Sequence, residues 1–146
     1  MKVPIRRLPH GEGLPLPQYA SVGSAGLDLY AAVDDVLMIK PHCTSAVPTG
    51  VTIALPGGIE GQVRPRSGLA LNHNVGVINS PGTIDSDYRG EVMVLLTNFS
   101  DCDYEIKRGD RVAQLVIARY ERIEWKEVQE LPQSERGASG FGHSGK

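Results

Sequence analysis

The chain has 146 residues, of which 40% are hydrophobic and 22% are charged, and its formal net charge is −2. This length and composition predict one compact soluble domain, and 15 basic against 17 acidic residues give no electrostatic basis for direct nucleic-acid binding. No apolar run is long enough to span a bilayer, so no membrane association is expected. The basic start MKVPIRRLPHGEG lacks the apolar stretch of a secretory signal, and we expect a cytoplasmic protein.

The cysteines and histidines do not favour a disulfide scaffold or a zinc site. Cys43 and Cys102 lie far apart in the chain and lack CxxC spacing. The histidines lack the HxxxH type of ligand spacing and are expected in surface or packing roles at His10, His42, His73 and His143. Any metal is therefore expected to be a hard ion held by oxygen atoms and phosphates.

The first half of the chain predicts short strands and one short helix. The segments 36–40 and 44–65 have strand composition, and the turn signal PGG divides the second of them. GLALNHN (68–74) is long enough for a single short helix. VGVIN (75–79) is predicted to be a further strand that ends at Asn79.

The second half predicts two longer strands. Both alternating faces of 91–99 are apolar near the middle, which indicates a buried strand. The segment 111–120 also has strand composition, whereas 124–131 fits a strand or a helix equally well. Many short strands separated by Gly/Pro turns indicate an all-β sandwich or barrel with at most one short helix. We place this domain at 1–131 and a polar, glycine-rich segment at 132–146.

The stretch NSPGTIDSDYRGEV (79–92) interrupts the strands with polar residues. Asn79 carries a donor and an acceptor, which is enough to read the edge of a nucleobase. Asp85 follows Ile84, an apolar neighbour that could partly shield the carboxylate and tune its pKa for base catalysis. Tyr88 offers a flat ring for a sugar or base. A long hairpin loop with ordinary turn residues explains this stretch equally well.

Three further stretches place polar residues among apolar ones. In RPRSGLA, Arg66 and Ser67 are suited to phosphate, and Gly68 opens the backbone at a possible helix start. Taken alone, this stretch is more typical of a surface turn. Asp28, between two leucines, is expected to be an exposed strand carboxylate unless a metal or phosphate lies nearby. Gln114 needs a hydrogen-bond partner if it is buried, and that partner is backbone or ligand.

Together with the tail RGASGFGHSG (136–145), these stretches resemble in order the five motifs of the trimeric dUTPases. The resemblance extends from about Ser24 to Gly145 and includes SAGLDLYAA (24–32) and RGDRVAQLV (108–116). It implies a distorted jelly-roll β-barrel and a homotrimer whose active sites are shared between subunits. It also implies hydrolysis of dUTP to dUMP and pyrophosphate with Mg²⁺ on the triphosphate. That reaction keeps uracil out of DNA and supplies dUMP for thymidylate synthesis.

The resemblance also implies a role for individual residues. Asp85 would be the general base that activates the water attacking the α-phosphate, and Asp28 would contact the metal region indirectly, through water. Tyr88 would pack against deoxyribose and exclude a 2′-hydroxyl. The uracil edge would be read by Asn79 and by the backbone of Thr83, Ile84 and Asp85. The phosphates would be contacted by Arg66, Ser67, Gly68, Gln114 and Arg136, with Met93 close to the nucleotide.

The resemblance identifies the tail as a lid that closes over the site. Phe141 would stack on uracil while the glycine backbone wraps the triphosphate. The composition agrees, because the tail has too few apolar residues to fold alone and a highly charged ligand would order it. Ser139 stands where the family usually has glycine. If that position requires a positive φ, serine costs roughly 1 kcal/mol and closure is weaker.

Two other functions fit parts of the sequence. The related dCTP deaminases share the fold but carry a catalytic glutamate at a position that corresponds here to Leu95, which cannot shuttle protons. This argues against a deaminase and against a bifunctional enzyme. A catalytically silent β-trimer that acts as a binding module is expected to lack an acid at position 85 or the Arg/Phe tail, and this sequence has both.

Overall fold

The computed structural model describes residues 1–139, which form eleven β-strands, one α-helix and one short 3₁₀ helix. The α-helix is α1 (Ser67–His73), and the 3₁₀ helix spans Pro9–Gly11. The strands are β1 (Ile5–Arg7), β2 (Gln18–Tyr19), β3 (Gly26–Tyr30), β4 (Leu37–Ile39), β5 (Thr44–Ile53), β6 (Ile59–Arg64), β7 (Val75–Val77), β8 (Gly82–Ile84), β9 (Glu91–Asn98), β10 (Tyr104–Ile106) and β11 (Arg111–Arg119).

The strands form three antiparallel sheets around one core. A four-stranded sheet has the order β1-β5-β9-β7, a five-stranded sheet has the order β2-β3-β11-β6-β8, and β10 pairs with β4. Buried side chains of all three sheets belong to one hydrophobic cluster, for example Val94, Leu115 and Ile39. Such a cluster shields apolar surface that no single sheet could bury alone. The prediction of an all-β protein is therefore confirmed.

Most predicted elements are present with slightly shorter bounds. The 44–65 segment divides into β5 and β6 at the PGG turn, where Gly58 adopts a φ of +79°. The helix predicted at 68–74 is present as α1, which begins one residue earlier. It ends before Asn74, whose φ of +52° is the left-handed conformation that stops a helix. The strand predicted at 75–79 ends earlier, at Val77.

Two of the predicted segments have a different structure, and the strands β1, β2 and β10 were not predicted. The hairpin was expected to be a loop from Ser80 to Gly90, but Gly82–Ile84 forms β8 and pairs with β6. The segment 124–131 forms neither a strand nor a helix. Its apolar side chains, including Trp125 at 90% exposure, find no core to pack on in the isolated chain.

The strand β9 is buried along one whole face and only partly on the other. Val92, Val94 and Leu96 are at most 1% exposed, as their alternation predicts. On the opposite face Met93 is 37% exposed whereas Thr97 is buried, so the expectation of two buried faces is wrong at Met93 in the isolated chain. At the end of β9, the buried Asn98 amide donates to the backbone oxygen of Ile39 at 3.0 Å, which joins this strand to β4. Among the described residues, no helix has the length and apolar content needed to cross a membrane.

Candidate active site

The first group of candidate residues is centred on Asp28 in the middle of β3 and includes Arg66 just after the end of β6. The Asp28 side chain is 5% exposed, and its two oxygens face two guanidinium groups. Arg66 Nε donates to Asp28 Oδ1 at 3.1 Å, and Arg111 Nη1 donates to Oδ2 at 3.3 Å. A carboxylate that is nearly removed from water is stabilised by such charged donors, and it holds both guanidinium groups in place.

The expectation that Asp28 is an exposed strand carboxylate is therefore wrong. Its side chain points away from the core, as the alternation predicts, but the two arginines cover it. Arg111 was not among the predicted site residues, although the quoted stretch RGDRVAQLV contains it. The contact between Arg111 and Asp28 was not predicted because the two residues lie 83 positions apart in sequence. The register could have suggested it, since β3 and β11 are neighbours in which Gln114 lies opposite Asp28.

Replacing Asp28 with asparagine is expected to lower the free energy of unfolding by about 1–3 kcal/mol, because two guanidinium groups lose their carboxylate. Chemical denaturation of the variant and the parent chain measures this difference. Asp103→Asn is the matched control, because it removes a carboxylate from the more exposed pair with Lys40 at 2.7 Å. The control is expected to cost less than about 1 kcal/mol. Equal losses in the two variants would contradict the buried, shared role of Asp28.

Arg66 lies immediately before α1 and thus joins the Asp28 cluster to the start of that helix. Ser67 and Gly68 follow it in the first turn, and both are exposed. A β-carbon added at Gly68 would meet nothing within 4 Å, so the backbone there is open to a ligand. Backbone N–H groups in a first helical turn have no partner within the helix and suit phosphate oxygens.

A cleft of about 550 Å³ adjoins these arginines. Arg66, Arg111 and Asp110 contribute charge to its lining, and Tyr30 and Tyr104 contribute aromatic rings. Burial raises the pKa of the Tyr104 hydroxyl above its ordinary value, and the negative charge of Asp110 raises it further. This hydroxyl therefore stays protonated at neutral pH and does not act as a base there.

The second group lies in the hairpin between β7 and β9. The Asn79 side chain packs across Gly82, where an added β-carbon would lie 2.9 Å from Asn79 Nδ2. Thr83 and Asp85 are exposed, whereas Ile84 between them is buried. Ile84 therefore faces the core and Asp85 faces away from it. The expectation that Ile84 shields Asp85 is wrong, because consecutive side chains of a strand point to opposite faces.

Tyr88 folds back over the end of the hairpin. An added β-carbon at Gly90 would collide with the Tyr88 hydroxyl at 2.3 Å, so only glycine leaves room for this placement. The hydroxyl donates to the backbone oxygen of Glu91 at 3.0 Å. Arg89 braces the same loop by donating to the backbone oxygens of Ser86 and Tyr88 at 2.7 and 2.8 Å. The Tyr88 ring is 45% exposed and offers a flat surface beside the hairpin.

Asp85 lines a separate cleft of about 530 Å³. Glu60 and Asp87 are further carboxylates of this lining, and Arg122 supplies a positive charge. A triphosphate is strongly negative, so carboxylates do not hold it without added cations. The groups suited to phosphate lie instead in the Asp28 cluster.

The sheet register separates the two groups. Asp28 lies opposite Gln114, and Gln114 lies opposite Arg64 on β6. Ile84 lies opposite Gly61 in an antiparallel pair, so the next residue, Asp85, comes beside Glu60. Glu60 is four residues from Arg64 along β6. Three strand spacings from β3 to β8 amount to about 14 Å, and four residues along a strand to about 13 Å. Asp85 and the arginines beside Asp28 in one chain are thus too far apart to act on the same bond.

The family assignment follows from comparison with known proteins. The dUTPase family model matches residues 12–145. The chain belongs to the dUTPase family. The deoxyuridine 5′-triphosphate nucleotidohydrolase of Anaplasma marginale (strain St. Maries) is 59% identical over 99% of both chains. The protein of that name from Wolbachia pipientis subsp. Culex pipiens is 55% identical over all of this chain and 97% of its own.

Solved dUTPase structures share the fold. The G164S mutant of Staphylococcus bacteriophage 80alpha dUTPase, determined with dUpNHpp, matches with a TM-score of 0.89 and 25% identity over 99% of both chains. The predicted jelly-roll β-barrel with one short helix is therefore confirmed. The prediction that the chain is an enzyme, a hydrolase of the dUTPase family, is also confirmed by its relatives.

The remaining predicted residues have separate locations. Gln114 is half-buried on β11 beside Gly26, and Met93 lies on the open face of β9. Arg136 is exposed and donates to the backbone oxygen of Ser139 at 2.8 Å. Ser139 is not in the left-handed region, which among the described non-glycine residues holds His42 and Asn74. Phe141 and the other tail residues from 140 onwards lie outside the described residues.

Histidines and cysteines occupy surface and packing positions in the described chain. His10 pairs with Glu91 at 2.8 Å, and His42 pairs with Asp101 at 3.1 Å. The His73 ring packs against Tyr104 with centroids 5.2 Å apart, whereas His143 lies outside the described residues. The two cysteines are exposed free thiols. Within residues 1–139, no three His, Cys, Asp or Glu side chains are grouped so as to hold a metal ion.

Proposed function

We propose that this member of the dUTPase family hydrolyses dUTP to dUMP and pyrophosphate in active sites shared between subunits. The observation that carries the proposal is the division of the site. One chain holds the exposed carboxylate of Asp85 in a hairpin and, on another part of its surface, a cluster suited to phosphate. A second copy that joins its phosphate cluster to the hairpin of the first would complete the site.

In this site Asp85 is the general base. Its exposed carboxylate accepts a proton from a water molecule, and the water oxygen attacks the α-phosphorus while the bond to the bridging oxygen of pyrophosphate breaks. Arg66 of a neighbouring copy, held by Asp28, faces the phosphates with a fixed guanidinium group. Ser67, Gly68 and Gln114 add hydrogen bonds, and Arg136 adds a second positive charge from the tail.

Mg²⁺ fits the chemistry of these residues. It prefers phosphate oxygens together with one or two carboxylates and retained water molecules. Both oxygens of Asp28 already accept from arginines, which agrees with a contact through water rather than direct ligation. When bound, Mg²⁺ neutralises triphosphate charge and makes the phosphorus a better electrophile.

The hairpin selects the nucleotide. The Asn79 amide and the backbone of residues 83–85 read the uracil edge, and the limited space beside Gly82 excludes a thymine methyl group. Tyr88, held back by Gly90 and Glu91, packs against deoxyribose and excludes a 2′-hydroxyl. Met93 lies close to the bound nucleotide, and Phe141 stacks on uracil when residues 132–146 close over the site as a lid.

A homotrimer accounts for apolar surface that the isolated chain exposes. Phe99 is 54% exposed and Ile78 is 52% exposed near the open face of β9, and the segment 124–131 carries the exposed Trp125 and Leu131. Burial of such side chains between copies provides free energy for assembly at about 25 cal/mol per Å² of apolar surface.

The product dUMP serves thymidylate synthesis, and the removal of dUTP keeps uracil out of DNA. We place the enzyme in the cytoplasm.

The direct test is pyrophosphate release with Mg²⁺ from dUTP, dTTP, dCTP and UTP in parallel. We expect hydrolysis of dUTP and loss of that activity with EDTA. Preference for dUTP over dTTP tests the base pocket, and preference over UTP tests Tyr88. A folded protein that hydrolyses none of the four would contradict the proposal and favour a binding module.

Shared active sites predict that two inactive variants complement each other. Asp85→Asn and Arg66→Ala damage different parts of a shared site, so mixed oligomers contain some sites with both residues intact. A trimer purified through both tags contains both variants, so one of its three sites combines an intact Asp85 with an intact Arg66, and about a third of the parent activity is expected. Differently tagged variants, coexpressed and purified through both tags, give the sample to be assayed.

The control for complementation pairs Arg66→Ala with Gln114→Ala. Both residues are proposed to belong to the phosphate part of the site, so no mixture of the two restores an intact site. Recovery in this control pair, or no recovery with Asp85→Asn and Arg66→Ala in verified mixed oligomers, would contradict sharing between subunits.

A further inference from the structure

The carboxylate of Glu91 joins three parts of the chain that are distant in sequence. Glu91 is the first residue of β9 and directly follows the hairpin loop. Its Oε1 accepts from the Gly50 backbone N–H at 2.7 Å and lies 2.8 Å from His10 Nε2. Since a carboxylate oxygen accepts, the His10 ring carries its hydrogen on Nε2. The side chains of His10 and Glu91 are 32% and 19% exposed, so this contact is partly shielded from water.

The partners of Glu91 are themselves held firmly. Gly50 has a φ of +70°, and a β-carbon there would lie 2.4 Å from the Gly11 Cα, so the backbones of β5 and the 3₁₀ helix touch directly. The Gly50 backbone oxygen accepts from the Leu8 N–H at 2.8 Å. Arg108 fixes the same turn from another side by donating to the His10 backbone oxygen at 2.9 Å. The Glu91 carboxylate is therefore bound to a rigid support.

The backbone of Glu91 connects this support to Tyr88. The hydroxyl of Tyr88 donates to the Glu91 backbone oxygen at 3.0 Å, and the ring lies against Gly90. The position of that oxygen thus sets how far the Tyr88 ring folds back from the hairpin. A shift of Glu91 would move the acceptor and change the space next to the ring.

We propose that Glu91 is a positioning residue for Tyr88, and that its contacts with His10 and Gly50 set the enzyme's preference for deoxyribose over ribose. The inference rests on the proposed function, in which Tyr88 packs against deoxyribose. Glu91 touches no reacting atom in this proposal. It acts by keeping the start of β9 in one place, so the tyrosine ring remains where a 2′-hydroxyl would need to fit.

The test compares kcat/KM for dUTP and for UTP in Glu91→Ala and Glu91→Gln. In Glu91→Ala the ratio of the two values is expected to fall about tenfold, because small displacements of a positioned group change rates strongly. Glu91→Gln retains an oxygen that accepts from Gly50, and its ratio is expected to stay within about twofold of the parent value. His10→Ala removes the other partner of the contact between His10 and Glu91. It replaces Glu91→Ala in the test if that variant does not fold.

The matched control is Asp101→Ala, which removes a carboxylate from a different imidazole pair, that of His42, without any link to Tyr88. Its ratio is expected to remain that of the parent chain. The second measurement is a double-mutant cycle with Tyr88→Phe, which removes the hydroxyl bond to Glu91. If Glu91 acts through Tyr88, Glu91→Ala has little further effect on the ratio in the Tyr88→Phe background.

The outcomes separate this inference from the proposed function. Equal losses for dUTP and UTP in folded Glu91→Ala, or additive effects in the cycle, would overturn the positioning role while leaving dUTP hydrolysis intact. A parent chain that does not hydrolyse dUTP would remove the proposed function and the inference with it. A lower ratio of kcat/KM for dUTP to kcat/KM for UTP in Glu91→Ala, with a near-parental ratio in Glu91→Gln, supports the inference.

Discussion

Replacing Asp85 with asparagine is expected to reduce kcat for dUTP by about 10²–10⁴-fold while the affinity for the nucleotide changes little. The amide is nearly the same size as the carboxylate but cannot accept a proton from water. Ile84 points into the core and Asp85 points outward, so the substitution leaves the packing of β8 unchanged. The measurements are kcat from pyrophosphate release and the dissociation constant of a non-hydrolysable dUTP analogue.

Asp87→Asn is the matched control for this prediction. Asp87 is exposed and lines the same cleft as Asp85. The substitution therefore removes the same charge from nearly the same place. A general electrostatic effect of the cleft would make the two variants similar. The base assignment requires a large loss in Asp85→Asn alone, and near-parental turnover in that variant would show that another group takes the proton.

Local sequence pattern was sufficient for much of the fold. The alternation in β9 predicts its buried face correctly, since Val92, Val94 and Leu96 all face the core. The strand β8 escaped prediction because it has three residues and exists only through pairing with β6, about twenty residues earlier. The open face of β9 was predicted to be buried because composition does not distinguish a core contact from a surface left for another subunit.

The site shows the same division between local and distant information. Asp28 is covered by Arg66 and Arg111, which are 38 and 83 residues away in sequence. No local pattern around Asp28 reports those partners. The contact of Glu91 with His10 spans 81 residues and is equally invisible in the hairpin stretch. Residue types in the five stretches predict which groups are present, whereas their burial and partners depend on the sheet topology.

Deleting residues 136–146 is expected to preserve folding and assembly while lowering kcat/KM for dUTP by about 10²-fold or more. Arg136 is exposed, and its hydrogen bond to Ser139 is local to the segment that is removed. The deletion takes away Arg136 and Phe141, which in the proposed site supply charge to the phosphates and a stacking surface to uracil. Without closure, water also weakens the remaining charge contacts.

Thermal unfolding and the mass in solution establish whether the truncated chain folds and assembles, and pyrophosphate release gives its activity. Arg136→Ala and Phe141→Ala divide the effect between charge and stacking, and Glu135→Ala controls for removal of an exposed charged side chain next to Arg136. If truncation instead unfolds or dissociates the protein, the tail is a structural element. If a folded, truncated enzyme retains full activity, the phosphate cluster around Asp28 and the hairpin suffice for catalysis without a lid.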